Sequence, residues 1–272
     1  MTQVMRDPLG SSDRSRRFGA WYVTEHKLMQ ARSYTPTLVA TAIGTPVLYL
    51  FAFGVGLGTL ITANVGPVFG VTYLQFVAPA LLASAAVLVG TEEYTFGILL
   101  GLKWNATYVG MNAAPITPRQ IVKGIMIFIG IRMLATTTIY YLIMLVFGAV
   151  PSPWGVLMIV AGILTGFAFS PIAAFAASLE DDRGEFAILQ RLVVLPLTLF
   201  SGTVFPLSQL PIYLQWIGWL SPLWHGSELG RQFAYGPTEP IWLTIVHVVY
   251  LLGLAIVGWQ LFVRNITRRL NK

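Results

Sequence analysis

The stretch "IWLTIVHVVYLLGLAIVGWQLFV", residues 241–263, contains no aspartate, glutamate, lysine or arginine. An α-helix needs about 20 consecutive, mostly apolar residues to cross the hydrocarbon core of a bilayer. This stretch is long enough, and a soluble surface helix would carry charged residues on one face. It therefore predicts a transmembrane helix.

Five further runs satisfy the same criterion. They lie at about residues 37–61, 74–91, 123–148, 154–178 and 187–204. The composition agrees, because 56% of the residues are hydrophobic and only 10% are charged, whereas soluble domains carry about 25% charged residues. The mean hydropathy of +0.70 indicates the same class. We therefore predict an all-α polytopic membrane protein with six transmembrane helices, in which a cytoplasmic segment at 1–36 precedes a six-span domain at 37–272.

Basic residues are distributed unevenly across this predicted topology. Of the 17 lysines and arginines, all but Arg132 and Arg231 fall on the side of the N-terminus. These fifteen are Arg6, Arg14, Arg16, Arg17, Lys27, Arg32, Lys103, Arg119, Lys123, Arg183, Arg191, Arg264, Arg268, Arg269 and Lys272. Basic residues collect on cytoplasmic loops, so the sequence predicts a cell-membrane protein with both termini in the cytoplasm. Their scatter among apolar runs does not indicate nucleic-acid binding.

An amphipathic helix is predicted ahead of the first span. The segment 15–34 places Phe18, Trp21, Tyr22, Leu28 and Met29 at helical spacing among charged residues. A helix of this kind lies in the membrane interface and does not cross the bilayer.

The loop after the second predicted span carries a regular apolar pattern. Glu92 and Glu93 close that span, and the loop then repeats large apolar residues at steps of four, four, four and three. These residues are Phe96, Leu100, Trp104, Tyr108 and Met111. The spacing predicts one apolar stripe on a short helix. Such a helix lies on the inner leaflet or docks into a groove of a cytosolic partner, and the periodicity does not separate these two interpretations.

Two shorter features lie on the same side. Thr117 followed by Pro118 is typical of the start of a helix, with Thr117 as the N-cap. The second inner loop, "SLEDDRGEF" at 178–186, contains Asp181, Asp182 and Arg183. This loop is either a solvated turn or a contact with a partner of basic or mixed charge.

The stretch "FPLSQLPIYLQWIGWLSPLWHGSELGR", residues 205–231, is apolar and aromatic but is cut by Pro206, Pro211 and Pro222. Its pieces are too short to cross a bilayer, and its tryptophans suit the headgroup level. It therefore predicts short re-entrant helices on the outer side, before the last span. These helices either anchor that span or form an outer gate.

The ordered motifs of this stretch resemble those of ABC type-2 exporter permeases, in particular the branch with nodulation lipo-chitooligosaccharide, antibiotic and polysaccharide exporters. The matching residues are Ser201, Gly202, Phe205, Pro206, Leu210, Pro211, Gln215, Pro222, Leu223, His225, Leu229 and Arg231. "VGTEE" at 89–93 and "APITPRQIVKG" at 114–124 also resemble the intracellular loop of the family. The resemblance covers nearly the whole chain. The short outer loops and the lack of an appended sugar-binding domain depart from the glycan-specific branch.

This resemblance implies a permease subunit that pairs with a second permease copy or sister chain and with two cytosolic ATPase subunits. No Gly-x-x-x-x-Gly-Lys-Ser/Thr loop occurs in the sequence, so ATP and Mg²⁺ are expected on the ATPase, and no cofactor is expected on this chain. The implied ATPase-coupling residues are Glu92, Glu93, Phe96, Leu100, Lys103, Trp104, Tyr108, Asp181, Asp182 and Arg183. The implied external gate comprises Phe205, Pro206, Leu210, Pro211, Gln215, Pro222, His225 and Arg231. The substrates of the family are often amphiphilic, but no residue here selects among them.

Single ionisable residues leave alternatives open. Arg132 lies inside the third run, where it snorkels, pairs with Glu92 or Glu93, or contacts substrate. His225 is expected to form hydrogen bonds with the outer helices, and its spacing from Glu228 is also compatible with a metal or acid–base site. The competing functions are an ion-coupled secondary transporter, which normally has ionisable groups near the midplane, and an intramembrane enzyme.

Overall fold

The structure is a computed structural model that describes residues 8–64, 66–236 and 239–271, and the side chains of these residues except 8–16, 55, 62 and 63. Arg6 and Lys272, which contribute to the predicted orientation, lie outside the described residues, as do the side chains of Arg14 and Arg16. The described residues form helices and turns, with one isolated bridge and no β-strand. The predicted all-α class is confirmed.

The α-helices follow one another through short connections. In the described chain they are α1 (Pro8–Arg32), α2 (Thr35–Leu50), α3 (Gly58–Asn64), α4 (Tyr73–Glu92), α5 (Thr107–Ala113), α6 (Pro118–Val146), α7 (Leu157–Ala168), α8 (Pro171–Ser178), α9 (Glu185–Leu189), α10 (Leu195–Leu199), α11 (Ile212–Leu220), α12 (Pro222–Tyr235) and α13 (Ile241–Leu270). π-Helical turns lie at Phe51–Leu57, Glu93–Gly97, Leu100–Trp104 and Gln190–Val194, and 3₁₀ turns at Pro153–Val156 and Leu207–Gln209.

Five helical segments among the described residues are long and apolar enough to cross a membrane. They are Thr35–Ile61, Tyr73–Trp104, Pro118–Val146, Pro153–Ser178 and Ile241–Leu270. Each overlaps one predicted span, so five of the six predicted spans are confirmed, with shifted boundaries. The start of α6 is also as predicted, because the Thr117 hydroxyl accepts the backbone N–H of Gln120 at 3.3 Å.

The predicted span at 187–204 is the exception. The helix formed by α9, a π-helical turn and α10 ends at Leu199. It is about 22 Å long, which is less than the hydrocarbon thickness of about 30 Å. The chain turns at Gly202, whose φ of 69° is accessible to glycine at little cost. The helix therefore ends five residues before the predicted boundary at residue 204, and the end of α10 contacts α11 and α12.

The second long helix forms the centre of the bundle. In Tyr73–Trp104, 72% of the apolar window is buried, against 12% in Thr35–Ile61 and 17% in Ile241–Leu270. The main neighbours of α4 are α6, α7 and α12. Because α2 and α13 leave most of their apolar surface uncovered, these two helices border lipid or another chain.

The predicted short helices before the last span are present as α11 and α12, which meet at Ser221. α12 lies so close to α7 that a Cβ added at Gly226 would be 1.8 Å from the Thr165 Oγ1 atom. A side chain at this position does not fit. α12 therefore packs closely against α7 at Gly226, and it also contacts α4 and α13.

The bundle has two distinct ends. At the end that we call the basic end, the Asn112 Nδ2 atom donates to the Leu270 carbonyl at 3.2 Å, beside Arg268 and Arg269. At the opposite end, the Ser152 N–H donates to the Ala234 carbonyl at 3.0 Å. The two sets of predicted site residues are thus separated along the helices.

Candidate functional site

The second long helix continues past Glu92 at the basic end. Its last residue is Trp104, after which Ala106 adopts a φ of 48° and α5 begins at Thr107. The prediction of one short helix with a single stripe from Phe96 to Met111 is therefore wrong. Phe96, Leu100 and Trp104 extend the central helix itself, and the turn at Ala106 separates them from Tyr108.

Tyr108 points into the protein. Its side chain is 1% exposed, and a Cβ added at Gly101 would lie 2.3 Å from its ring. Its hydroxyl donates to the Gly97 carbonyl at 3.4 Å. Tyr108 therefore holds α5 against the end of the central helix and has no free surface for a partner.

Three aromatic side chains gather where the central helix meets α9. The rings of Phe96 and Trp104 stack with their centroids 6.4 Å apart, and Phe186 meets Phe96 edge-on at 5.3 Å. Phe96 and Trp104 are each about half exposed, whereas Phe186 is buried beneath them. We call the group of Phe96, Lys103, Trp104, Asp181 and Phe186 the Trp104 surface.

The acidic loop at 178–186 joins this surface. Lys103 forms an ion pair with Asp181, and the hydrogen bond from Lys103 holds the pKa of Asp181 below its usual range. Asp182 accepts the backbone N–H groups of Gly184 and Phe186 at 3.0 and 3.2 Å, which fixes the start of α9. Arg183 is exposed beside them. The structure thus brings together the two predicted cytoplasmic loops.

A buried charge network lies directly behind the Trp104 surface. Arg132 pairs with Glu93, and its other terminal nitrogen lies 3.2 Å from the Glu92 carboxylate. Lys27, which projects from α1, lies 3.8 Å from Glu93. The predicted pairing of Arg132 with these glutamates is confirmed, and burial lowers the pKa of Lys27. Two cations and two anions connect α1, α4 and α6, so each buried charge has a partner.

α1 is seated on α6 by close backbone contact. The Thr24 hydroxyl donates to the Gly124 carbonyl at 3.0 Å, and a Cβ at Gly124 would lie 2.5 Å from the Ala20 carbonyl oxygen. Phe18, Trp21, Tyr22 and Met29 remain exposed, and Leu28 is partly buried. The predicted amphipathic helix therefore exists, with an uncovered aromatic face.

Arg132 also lines a cleft between α2, α4 and α6. The cleft has a volume of about 390 Å³, within the range of about 300–1,000 Å³ typical of small-molecule sites. Its polar lining consists of Tyr34, Thr37, Thr41, Thr45, Glu92, Arg132, Thr136 and Tyr140. Its other lining is apolar and includes Val39, Leu88 and Ile139. The lining of the cleft therefore combines polar and apolar side chains.

Arg231 organises the opposite end. It is 1% exposed and pairs with Glu228. Its guanidinium donates to the carbonyl groups of Phe76 at 3.2 Å and Gly202 at 2.7 Å, and it lies 3.9 Å from the centroid of the Phe76 ring. One side chain thus joins α12, the start of α4 and the turn after α10.

The remaining predicted gate residues surround that turn. Pro206 is buried and Phe205 is partly exposed. The Gln215 amide donates to the Leu210 carbonyl at 2.9 Å, which closes the turn before α11. Pro211 and Pro222 stand immediately before α11 and at the first residue of α12.

His225 connects the short helices, as predicted. Its Nε2 atom lies 3.0 Å from the Trp219 carbonyl oxygen, and its Nδ1 atom lies 2.7 Å from Nδ1 of His247. The predicted alternative of a His225–Glu228 site is not favoured, because Glu228 pairs with Arg231 instead.

Sequence reasoning missed Lys27, Phe186 and His247 as members of these sites. Phe186 carries a usable signal, since it is the first aromatic residue after an acidic turn. Lys27 lies among other charged residues of α1, and His247 lies in a continuous apolar run. Nothing local marks these two, because their roles depend on which helices pack together.

Comparison with known proteins finds one matching family and several similar relatives. The family described as ABC-2 type transporter matches residues 21–235. The chain is similar to Nodulation protein J of Rhizobium leguminosarum bv. viciae, with 29% identity over 232 residues that cover 85% of this chain and 86% of that protein. Nodulation protein J of Sinorhizobium fredii is 30% identical over 235 residues, 85% of this chain and 87% of that protein. Inner membrane transport permease YadH of Escherichia coli K12 is 26% identical over 260 residues, 90% of this chain and 93% of that protein.

Proposed function

The chain belongs to the ABC-2 type transporter family, and from that premise we propose that it is the permease subunit of an ATP-driven exporter. The exporter moves an amphiphilic substrate, such as a glycolipid, a lipid-linked saccharide or a drug, out of the cytoplasm or the inner leaflet. Two cytosolic ATPase subunits and a second permease, identical or related, complete the complex. The basic end faces the cytoplasm of the cell membrane.

The Trp104 surface is the observation that carries this proposal. It combines half-exposed aromatic rings with a lysine–aspartate pair on the end of the central helix. A few residues dominate the binding energy at protein interfaces, and tryptophan is among the residue types enriched in them. A partner bound here acts directly on the helix that runs through the centre of the bundle. The Trp104 surface therefore suits a docking site for an ATPase that drives movement.

The mixed cleft around Arg132 supports the substrate class. Its threonine and tyrosine hydroxyl groups and its charged end suit a polar headgroup, and its apolar lining suits a hydrocarbon chain. The relatives named as a nodulation protein and a transport permease do not by their names identify a chemical substrate. The amphiphilic class therefore rests on this cleft and on the sequence resemblance.

Replacing Trp104 with glutamate is expected to uncouple transport. The variant should insert and fold normally, because Trp104 is half exposed, but should bind the ATPase roughly 30-fold more weakly, since an aromatic hot spot is worth about 2 kcal/mol. The measurement is ATPase co-purification together with ATP-driven flux in proteoliposomes; Leu100→Glu should act in the same direction.

Val109→Glu is the matched control, because Val109 on α5 is equally exposed but lies outside the Trp104 surface. It should retain coupling. Normal ATP-driven flux in Trp104→Glu would overturn the assignment of the docking site. If no ATPase accompanies the purified chain and flux follows an ion gradient, the ion-coupled carrier replaces the exporter.

The orientation has its own test. The chain has no cysteine, so Trp216→Cys creates a unique thiol on α11, where the native side chain is 53% exposed. We expect a membrane-impermeant maleimide to label this thiol in intact cells. Labelling that occurs only after the cytoplasmic side is opened would reverse the proposed topology.

A further inference from the structure

Two buried histidines meet at the end opposite the Trp104 surface. His225 on α12 and His247 on α13 are 4% and 0% exposed, and their Nδ1 atoms are 2.7 Å apart. This is a hydrogen-bond length. It leaves no room for a bridging metal ion, because zinc lies about 2.0–2.1 Å from each imidazole nitrogen that it binds. One of the two Nδ1 atoms must therefore carry the hydrogen.

The backbone decides which one. The Nε2 atom of His225 lies 3.0 Å from the Trp219 carbonyl oxygen, which can only accept, so this Nε2 atom carries a hydrogen. Burial lowers the pKa of His225 to about 4, and the neutral ring has a single N–H. The Nδ1 atom of His225 is then an acceptor, and the Nδ1 atom of His247 donates to it.

This assignment leaves no hydrogen between the Nε2 atom of His247 and the Glu239 carboxylate. This Nε2 atom lies 3.1 Å from the Glu239 carboxylate. A neutral His247 that donates from Nδ1 presents a lone pair at Nε2, and an ionised carboxylate presents only lone pairs. Two acceptors would then face each other across a hydrogen-bond distance. The contact becomes favourable only when one additional proton lies between them.

We infer that His247 and Glu239 form a proton-binding site that holds one exchangeable proton, shared between the imidazole and the carboxylate. The proton completes a chain of hydrogen bonds from Glu239 through both histidines to the end of α11. Glu239 is 24% exposed whereas His247 is fully buried, so the proton enters through the carboxylate. The inference rests on the geometry of one chain and is independent of ATP coupling.

The surrounding elements add little competing charge. His247 and Glu239 are the charged or titratable groups that act electrostatically on His225. Toward this end of the packed elements, the other titratable residues are Tyr73 on α4, Tyr140 and Tyr141 on α6, Tyr213 on α11, Glu228, Arg231 and Tyr235 on α12, and Tyr250 on α13. The remaining ones lie toward the basic end: Glu92 on α4, Arg119, Lys123 and Arg132 on α6, and Arg264, Arg268 and Arg269 on α13. Glu228 and Arg231 neutralise each other, and α7, α8 and α10 carry no titratable residue. The Tyr250 ring stacks on His225 at 4.1 Å and shields it from water.

The bound proton has a structural consequence. Release of the proton turns the His247–Glu239 contact from a hydrogen bond into a repulsion between acceptors. The chain before α13 then separates from the histidine pair that holds α12 and α11 in place. A rise in pH on that side of the membrane should therefore release the chain at Glu239 from His247, while the hydrogen bonds from His247 through His225 to Trp219 remain.

Nitrogen NMR of ¹⁵N-histidine-labelled protein in lipid bilayers tests the site directly, because the chain contains only three histidines. Across roughly pH 5 to 8, we expect His225 to stay neutral with its hydrogen on Nε2. His247 should keep a hydrogen on Nδ1, and the hydrogen bond at its Nε2 atom should be lost in a single step as the pH rises. His26 on α1 serves as the internal reference.

Glu239→Gln is the decisive variant. The carboxamide N–H donates to the Nε2 lone pair of a neutral His247 without an additional proton, so the pH step should disappear. Glu180→Gln, at an exposed carboxylate of the basic end, should leave the step unchanged. A step that persists in Glu239→Gln overturns the site. So does a wild-type spectrum in which His247 is neutral with its hydrogen only on Nε2, and this spectrum decides even if the variant does not fold.

Discussion

Replacing Arg231 with methionine is expected to lower the free energy of unfolding by about 3–5 kcal/mol, the usual cost of leaving one partner of a buried ion pair alone. The variant leaves Glu228 without its cation and removes the donors to the Phe76 and Gly202 carbonyl groups. These contacts join α4, α12 and the turn after α10. We therefore expect a lower midpoint of unfolding for Arg231→Met than for the wild type, as measured by denaturant titration in detergent micelles.

Two further variants sharpen this experiment. Arg264→Met removes an exposed arginine of α13 and should change stability by less than about 1 kcal/mol. Arg231→Lys keeps the positive charge but lacks the planar fork of donors, so its stability should fall between those of the wild type and Arg231→Met. Equal midpoints for Arg231→Met and Arg264→Met would show that Arg231 does not hold the turn.

Replacing Glu93 with leucine is the second large change. Glu93 is the anion between Lys27 and Arg132, and its side chain is 7% exposed. Its loss leaves Lys27 without an anion and Arg132 with only the exposed Glu92, so we expect a destabilisation of about 3–5 kcal/mol and weaker attachment of α1 to the bundle. Unfolding in detergent micelles measures the first effect, and limited proteolysis between α1 and α2 measures the second.

Glu92 provides a matched control on the same helix. Its carboxylate contacts the same arginine, but its side chain is 63% exposed, so Glu92→Leu should cost less than about 1 kcal/mol. The destabilisation of the double variant Glu93→Leu/Arg132→Met should be smaller than the sum of the two single-variant destabilisations by about 0.5–3 kcal/mol. Strict additivity would contradict a direct coupling of these charges.

The long helices were predictable because hydropathy alone identifies a segment that crosses a bilayer. Their ends were not. The sequence predicts that the second span ends at residue 91 because Glu92 and Glu93 are charged, yet Lys27 and Arg132 pair with Glu93 inside the protein. The helix therefore continues to Trp104. The opposite error occurs at 187–204, where an apolar run continues but the turn at Gly202 ends the helix early.

The candidate sites divide in the same way. The prolines at 206, 211 and 222 predicted the short helices correctly, since proline acts on its own backbone. The spacing of Phe96, Trp104 and Tyr108 predicted one face, but the turn at Ala106 directs Tyr108 inward. The contact between His225 and His247 depends on how α12 folds back on α13, and no local pattern encodes that contact.

The length of the central helix has a mechanical consequence. Its 32 residues from Tyr73 to Trp104 extend about 48 Å, and the charges around Glu93 clamp it to α1 and α6 roughly two thirds of the way along. About 30 Å of helix lies between Tyr73 and Glu93, and about 17 Å lies between Glu93 and Trp104, so the charged contacts at Glu93 can act as the pivot of a lever. If the helix moves as a rigid rod, a shift of Trp104 by about 1 Å would move the Tyr73 end by nearly 2 Å in the opposite direction, next to the contact between Arg231 and the Phe76 carbonyl.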